Sequence, residues 1–227
     1  MSAVMETRGV DAGYGDVTVV RDLNLRVDSG EVVAVLGRNG AGKTTALLTL
    51  AGALHPLAGE VWFMGAENRS SLAGRARQGV GLMTDDRSVF FSLTARENLR
   101  VARGSADVLS LFPELERLLD QPAGLLSGGE QQMLGLACVL SRKPKLLLID
   151  ELSFGLAPRV VQRLMTAVRD AADAGTAVVI VEQFARLALE VADRAYVLVN
   201  GRVESEGTTG EMRANVGEIE SKYLGVH

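Results

Sequence analysis

With 227 residues, 47% of them apolar, the chain has room for one large α/β domain around a sizeable buried core. A net charge of −4 without a clustered run of Lys and Arg argues against nucleic acid as a partner, since a phosphate backbone demands concentrated positive charge. No stretch approaches the roughly 18–20 continuous apolar residues that span a bilayer, and a single cysteine, Cys138, excludes an internal disulfide framework and suits the cytosol.

The first ten residues, MSAVMETRGV, lack the basic start and apolar core of a secretory signal. The first thirty residues alternate loosely, as in Leu23-Asn24-Leu25-Arg26-Val27-Asp28, which predicts half-buried antiparallel strands. Residues 59–65 read as a further strand between turns, with Trp62 and Phe63 in the core. From Glu31 the pattern changes. Residues 32–36 form a continuous apolar run, followed by a Gly-rich turn and a helical stretch over about 43–53, the β-loop-α opening of a parallel sheet covered on both faces. Similar buried strands are predicted at 80–83, 146–149, 177–181 and 195–199. Between about 84 and 144 the pattern is helical, notably over 106–119 and 130–141, and predicts a mostly helical lobe inserted between two strands. Asn200-Gly201 marks a hairpin over 197–203, and 211–224 reads as a short terminal helix. Asp173, Asp193, Glu204 and Glu206 read as ordinary surface charges. Cys138 lies in an apolar run and reads as a small core hydrophobe, and His55 and His227 stand alone, which argues against a zinc site.

Gly37-Arg38-Asn39-Gly40-Ala41-Gly42-Lys43-Thr44 fits the P-loop pattern G-x-x-x-x-G-K-[ST] in its required place, after a strand and before a helix. The glycines let successive backbone N–H groups converge on phosphate oxygens, and the helix start adds the positive end of its dipole. Lys43 supplies a full charge to the β- and γ-phosphates and Thr44 offers a hydroxyl to Mg²⁺; Thr45 completes the ATP-binding set. The strand 146–149 ends in Asp150-Glu151, at the rim where open α/β sheets bind ligands. Asp150 is placed to hold Mg²⁺, and Glu151 to polarise an attacking water. This pair of elements leaves kinases, GTPases and helicase-like motors open.

Leu126-Ser127-Gly128-Gly129-Glu130-Gln131-Gln132 separates them. Ser127 is a good N-cap, the two glycines permit close backbone approach, and an apolar helix follows: a second helix-terminus anion site without a lysine of its own. Here the chain resembles the ATP-binding cassette (ABC) family, whose signature is LSGGQ, over almost its whole length from Tyr14 to Gly207. The resemblance implies a single ABC ATPase domain over 1–227, with a P-loop NTPase core, an N-terminal antiparallel β subdomain and an inserted helical subdomain. It implies that Ser127, Gly128, Gly129 and Glu130 face the γ-phosphate held by a partner subunit's P-loop. It also implies that Tyr14, between Gly13 and Gly15, stacks on adenine.

Some positions depart from the common family pattern. Thr84-Asp85 replaces Pro-Gln, leaving Asp85 to approach Mg²⁺ or the water. Gln183, within Val181-Glu182-Gln183, replaces the switch histidine and can donate an amide hydrogen bond but cannot become cationic. Leu152 stands where Pro is usual, and Ala157 where Asp is usual. Val-Glu-Gln at the switch, Gly-Leu-Ala-Pro after the acidic strand and a closing Tyr223-Leu224-Gly225 resemble the smaller ATPase subunit of branched-chain amino-acid importers and their urea and amide relatives. That resemblance implies a larger ATPase paralogue as heterodimer partner, integral membrane permease subunits, a solute-binding protein, and a peripheral position on the cytoplasmic face of the cell membrane. An ABC exporter subunit and a non-transport ABC ATPase working as an ATP-dependent dimer clamp are the alternatives.

Overall fold

The apolar runs form the centre of a computed structural model that describes residues 3–84 and 88–224. In chain order the elements are β1 (Ala3–Tyr14), β2 (Val17–Leu23), β3 (Arg26–Asp28), β4 (Val32–Leu36), α1 (Lys43–Ala51), β5 (Ala58–Phe63), β6 (Ala66–Glu67), α2 (Leu72–Gln78) and β7 (Val80–Met83). They continue with α3 (Ala95–Ala102), α4 (Gly128–Leu140), β8 (Leu146–Asp150), α5 (Pro158–Asp173), β9 (Ala177–Glu182), α6 (Ala185–Val191), β10 (Arg194–Val199), β11 (Arg202–Thr208), α7 (Thr209–Ala214) and α8 (Val216–Ile219). The main sheet has the order β11-β10-β4-β9-β8-β7, parallel except for β11. A second, antiparallel sheet runs β2-β1-β5-β6, with β3 on β1.

Side chains alternate faces along a strand, so each central strand feeds two cores. Val32, Ala34 and Leu36 of β4, Leu147 and Ile149 of β8 and Val178 and Ile180 of β9 pack with α4, α5 and α6 on one face. Val33, Val35, Leu146, Leu148, Val179 and Val181 pack with α1 and the antiparallel sheet on the other. Double coverage explains why these strands read as unbroken apolar runs.

Among the described residues between β7 and β8 lie α3, three short 3₁₀ turns and α4. The helix expected over 106–119 is not continuous. It forms 3₁₀ turns at Ala106–Ser110 and Pro113–Leu118, because Pro113 has no N–H to give and Phe112 before it is held at φ −136°, ψ 71°. The terminal helix is likewise divided into α7, α8 and a π-helical turn over Glu220–Leu224. The hairpin forms as expected, with Asn200 (φ 49°) and Gly201 (φ 80°) both left-handed. Phe63 is buried, but Trp62 is only half-buried and carries the Arg8 guanidinium 4.1 Å from its ring centroid. Asp193 is more than a surface charge: its Oδ2 accepts from the Val32 N–H (2.8 Å) and from Arg169 (3.0 Å), tying β10 and α5 to the start of β4.

Candidate active site

Parallel strands deliver the site residues to one rim. Leu36 pairs with Glu182, and Asp150 with Val181, so Gly37, Glu151 and Gln183 each leave the sheet at the same end. From β4 the chain curls through residues 37–42 into α1. Gly42 sits at φ 103°, and a Cβ there would lie 2.9 Å from Val20 Cγ2, so only glycine fits this close passage between loop and β2. At Gly37 a Cβ would come within 2.6 Å of the Leu198 carbonyl. Helix α1 begins without a side-chain cap, leaving its N-terminal dipole directed into the loop.

A cavity of about 290 Å³ opens here, lined by Val19, Asn39, Gly40, Gly42, Lys43, Thr44, Thr45 and Glu151. A second, of about 200 Å³, lies across the loop against Arg38, Asn39, Gly40, Ala41, Asn200 and Tyr223. Lys43 is only 4% exposed; its Nζ donates to the Gly37 carbonyl (2.9 Å) and the Arg38 carbonyl (3.3 Å) and lies 3.4 Å from Glu151 Oε1. A buried ammonium surrounded by oxygens can transfer those contacts to phosphate oxygens. Asp150, 4% exposed, precedes Glu151 at the end of β8. Glu151 itself has φ 45°, a left-handed conformation uncommon for a side-chain-bearing residue, which turns the chain sharply at the sheet edge.

Ser127 caps α4 in a full capping box. Its hydroxyl donates to Glu130 Oε2 (2.7 Å) and receives the Glu130 N–H (3.4 Å), while the Ser127 N–H donates to Glu130 Oε2 (2.8 Å). Gly128 and Gly129 open the helix; Val160 packs where a Gly129 Cβ would stand. These four residues line neither cavity at the P-loop. Tyr14 is 52% exposed on the turn of the β1–β2 hairpin, whose Val19 borders the larger cavity.

A sequence profile described as "ABC transporter" matches residues 20–153. The high-affinity branched-chain amino acid transport ATP-binding protein BraG of Pseudomonas aeruginosa is 38% identical, over 95% of this chain and 97% of its own. The chain belongs to the ABC transporter family. The lipopolysaccharide export system ATP-binding protein LptB of Escherichia coli is 31% identical, with 98% of each chain covered. Among solved structures, an ATP-binding subunit of an ABC transporter superposes with a TM-score of 0.80 at 28% identity, over 94% of this chain and 93% of that one. The fold is therefore that of an ABC ATPase, an ATP-hydrolysing transporter subunit.

In this ABC ATPase the departures acquire surroundings. Leu152, where Pro was expected, is wholly buried within the core below the rim. Gln183 is half-buried immediately beyond β9. Asp85 lies outside the described residues, as does Gly225 of the closing Tyr-Leu-Gly. Cys138 is partly buried against the core, and burial pushes its thiol up to about 12, so it stays protonated.

One group near the rim entered the sequence reading only as the middle residue of Val-Glu-Gln, with no role assigned to it. Glu182, only 1% exposed, accepts from the Ser153 N–H at Oε1 (3.1 Å) and from the Ser153 hydroxyl at Oε2 (2.9 Å). Burial, reinforced by the nearby Glu151 charge, pushes its carboxyl up to about 7 despite these donors. The available signal was slight: one acidic residue closing an apolar run.

Proposed function

We propose that this chain is the smaller ATPase subunit of an importer for branched-chain amino acids or related small polar solutes. The observation that carries the reading is the 38% identity to the Pseudomonas aeruginosa branched-chain amino acid transport protein across nearly the full length of both chains. The Val181-Glu182-Gln183 switch and the Gly155-Leu156-Ala157-Pro158 turn support it. The working assembly contains a larger ATPase paralogue, permease subunits and a solute-binding protein, with this chain on the cytoplasmic face of the membrane. Among the described residues no helix is long and apolar enough to cross that membrane.

In the proposed cycle, ATP phosphates enter the α1 N-terminus and draw Lys43 away from the Gly37 and Arg38 carbonyls. Asn39, Gly40, Ala41 and Gly42 present backbone to the phosphates, Arg38 flanks them, and Tyr14 stacks on the adenine. Among the described residues no cluster of three or more carboxylate, His or Cys groups is built to hold a metal alone. The Thr44 hydroxyl and the buried Asp150 carboxylate instead fit Mg²⁺, which takes one or two protein oxygens and otherwise phosphate and water. When bound, Mg²⁺ neutralises charge on the β- and γ-phosphates. Glu151 accepts a proton from the attacking water, and Gln183 donates its amide N–H to the γ-phosphate. Ser127, Gly128, Gly129 and Glu130 approach the nucleotide of the opposing subunit, completing its site.

Reconstitution tests the assignment. The chain, captured with its native membrane subunits and placed in vesicles, should hydrolyse ATP several-fold faster when a leucine-loaded binding protein is added, with leucine moving to the ATPase side. Export is the second reading, carried by the 31% identity to the lipopolysaccharide export protein. Movement of a lipid away from the ATPase side, with no response to branched-chain amino acids or small amides, overturns the importer assignment.

A further inference from the structure

We propose that Glu182 is a positioning residue for hydrolysis, whose two carboxylate oxygens clamp Ser153 to the end of β9 and so fix the Glu151 carboxylate against the P-loop. The inference rests on the reading of Glu151 as the catalytic carboxylate.

The chain faces a mechanical problem at this rim. Strand β8 ends at Asp150, and the next residue must aim a carboxylate at Lys43 while the backbone turns away. It does so by taking Glu151 to φ 45°, a left-handed conformation that persists only where neighbours hold it. Three bonds to the end of β9 supply that hold. The Glu151 N–H donates to the Val181 carbonyl (3.0 Å), and Ser153 donates through its N–H and its hydroxyl to the two oxygens of Glu182. Leu152, between them, is anchored in the core below. The turn 151–153 is thereby fixed to β9 at both ends and from beneath.

A glutamate is an expensive choice for this place if support were its only task. Burying a carboxylate is unfavourable, and a small apolar residue would close the strand at lower cost. Few side chains, however, offer two acceptors that reach the N–H and hydroxyl of one residue together. Glu182 is also the residue immediately before Gln183, so one side chain links the turn carrying the proposed base to the segment carrying the proposed γ-phosphate donor. Misplacing a reacting group by about 1 Å is enough to lose on the order of a hundredfold in rate.

The test measures kcat and nucleotide affinity separately in the assembled transporter, for Glu182→Ala, Glu182→Gln, Ser153→Ala and the Glu182→Ala/Ser153→Ala double variant, with Glu151→Gln alongside. Glu182→Ala should lower kcat by roughly 10- to 100-fold, with ATP affinity changed less than about threefold. Glu182→Gln should recover most of the rate, because its carbonyl can accept the Ser153 N–H and its amide can donate to the hydroxyl. Ser153→Ala keeps the carboxylate and the fold and should lower kcat by roughly three- to tenfold. The double variant should be no worse than Glu182→Ala, since both remove one link. Wild-type kcat in Ser153→Ala or Glu182→Ala, additive losses, equal damage from Gln and Ala, or a parallel loss of ATP affinity each overturns the proposal. If Glu151→Gln turns over normally, the assignment of the base has failed. If it is inactive while the Glu182 and Ser153 variants are normal, only the positioning role has failed.

Discussion

Glu151→Gln should separate binding from hydrolysis in opposite directions. In the chain as folded, Glu151 Oε1 lies 3.4 Å from the Lys43 ammonium, in a site where the lysine is 4% and the glutamate 25% exposed. At an effective dielectric of 20, two unit charges at that separation attract by about 5 kcal/mol. Solvent access and salt reduce this, and about 1–2 kcal/mol is a realistic remainder. ATP must draw Lys43 out of that contact and bring phosphate charge towards Glu151, so both effects oppose binding in the native chain. The amide removes both, and ATP affinity should rise by roughly 5- to 30-fold. Hydrolysis should fall by roughly 10²- to 10⁴-fold, the usual contribution of a positioned general base. Calorimetry with the purified chain reads the first effect, and steady-state turnover of the assembled transporter reads the second. Native turnover removes Glu151 from the chemistry. Weaker ATP binding refutes the electrostatic argument even if hydrolysis is lost.

Lys43→Ala should lower ATP affinity by roughly 10- to 100-fold or more, the loss of a charge-assisted contact of about 1.5–3 kcal/mol in a largely buried site, and calorimetry showing unchanged affinity would remove the loop from nucleotide binding. Gln183→Ala should lower turnover by roughly 10- to 100-fold, while Gln183→His keeps much of it and gains a dependence on pH around the imidazole's ordinary value near 6.5; full activity in the Ala variant ends the hydrogen-bond role. Glu182→Gln should raise thermal stability in a pH-dependent way. The folded chain holds this carboxyl's proton up to about 7, whereas the unfolded chain releases it near 4.5, so the favourable contribution is present below 4.5 and lost as pH rises through 7. Above that the native chain carries a burden of about 3 kcal/mol, and melting curves should separate by several degrees at pH 8 but coincide near pH 4.

The parts of the site that were legible from sequence are those written within a few consecutive residues. A Gly-rich turn between an apolar strand and a helix specifies its own geometry, and β4, β7 and β8 begin where their aliphatic runs begin. The 3₁₀ turns around Phe112 and Pro113 were hidden because apolar spacing there imitates a helix while the proline forbids its continuation. The contact between Lys43 and Glu151 was hidden for a different reason. It depends on strand order, since β9 lies between β4 and β8, and no local pattern reports which strand intervenes. The bonding of Glu182 was hidden in the same way: the residue was visible only as part of Val-Glu-Gln, and its partner Ser153 is 29 residues away.

The two helix N-termini of the proposed ATP site are prepared differently, and the difference imposes an order on the reaction. Helix α1 has no side-chain cap and carries Lys43 at its first position, so phosphate meets backbone donors and a full cation there. Helix α4 is already capped, with the Ser127 hydroxyl and N–H both committed to Glu130, an arrangement worth about 1 kcal/mol that places a negative charge at the helix start. A γ-phosphate arriving at Ser127 must displace that carboxylate and approach its charge, whereas at α1 it only redirects a lysine. In the proposed cycle nucleotide would therefore fill the P-loop first, and the opposing signature would close on it second. In that proposed cycle closure would draw on the phosphate charge already held by the P-loop, and loss of the γ-phosphate would return Ser127 to Glu130 and let the subunits part.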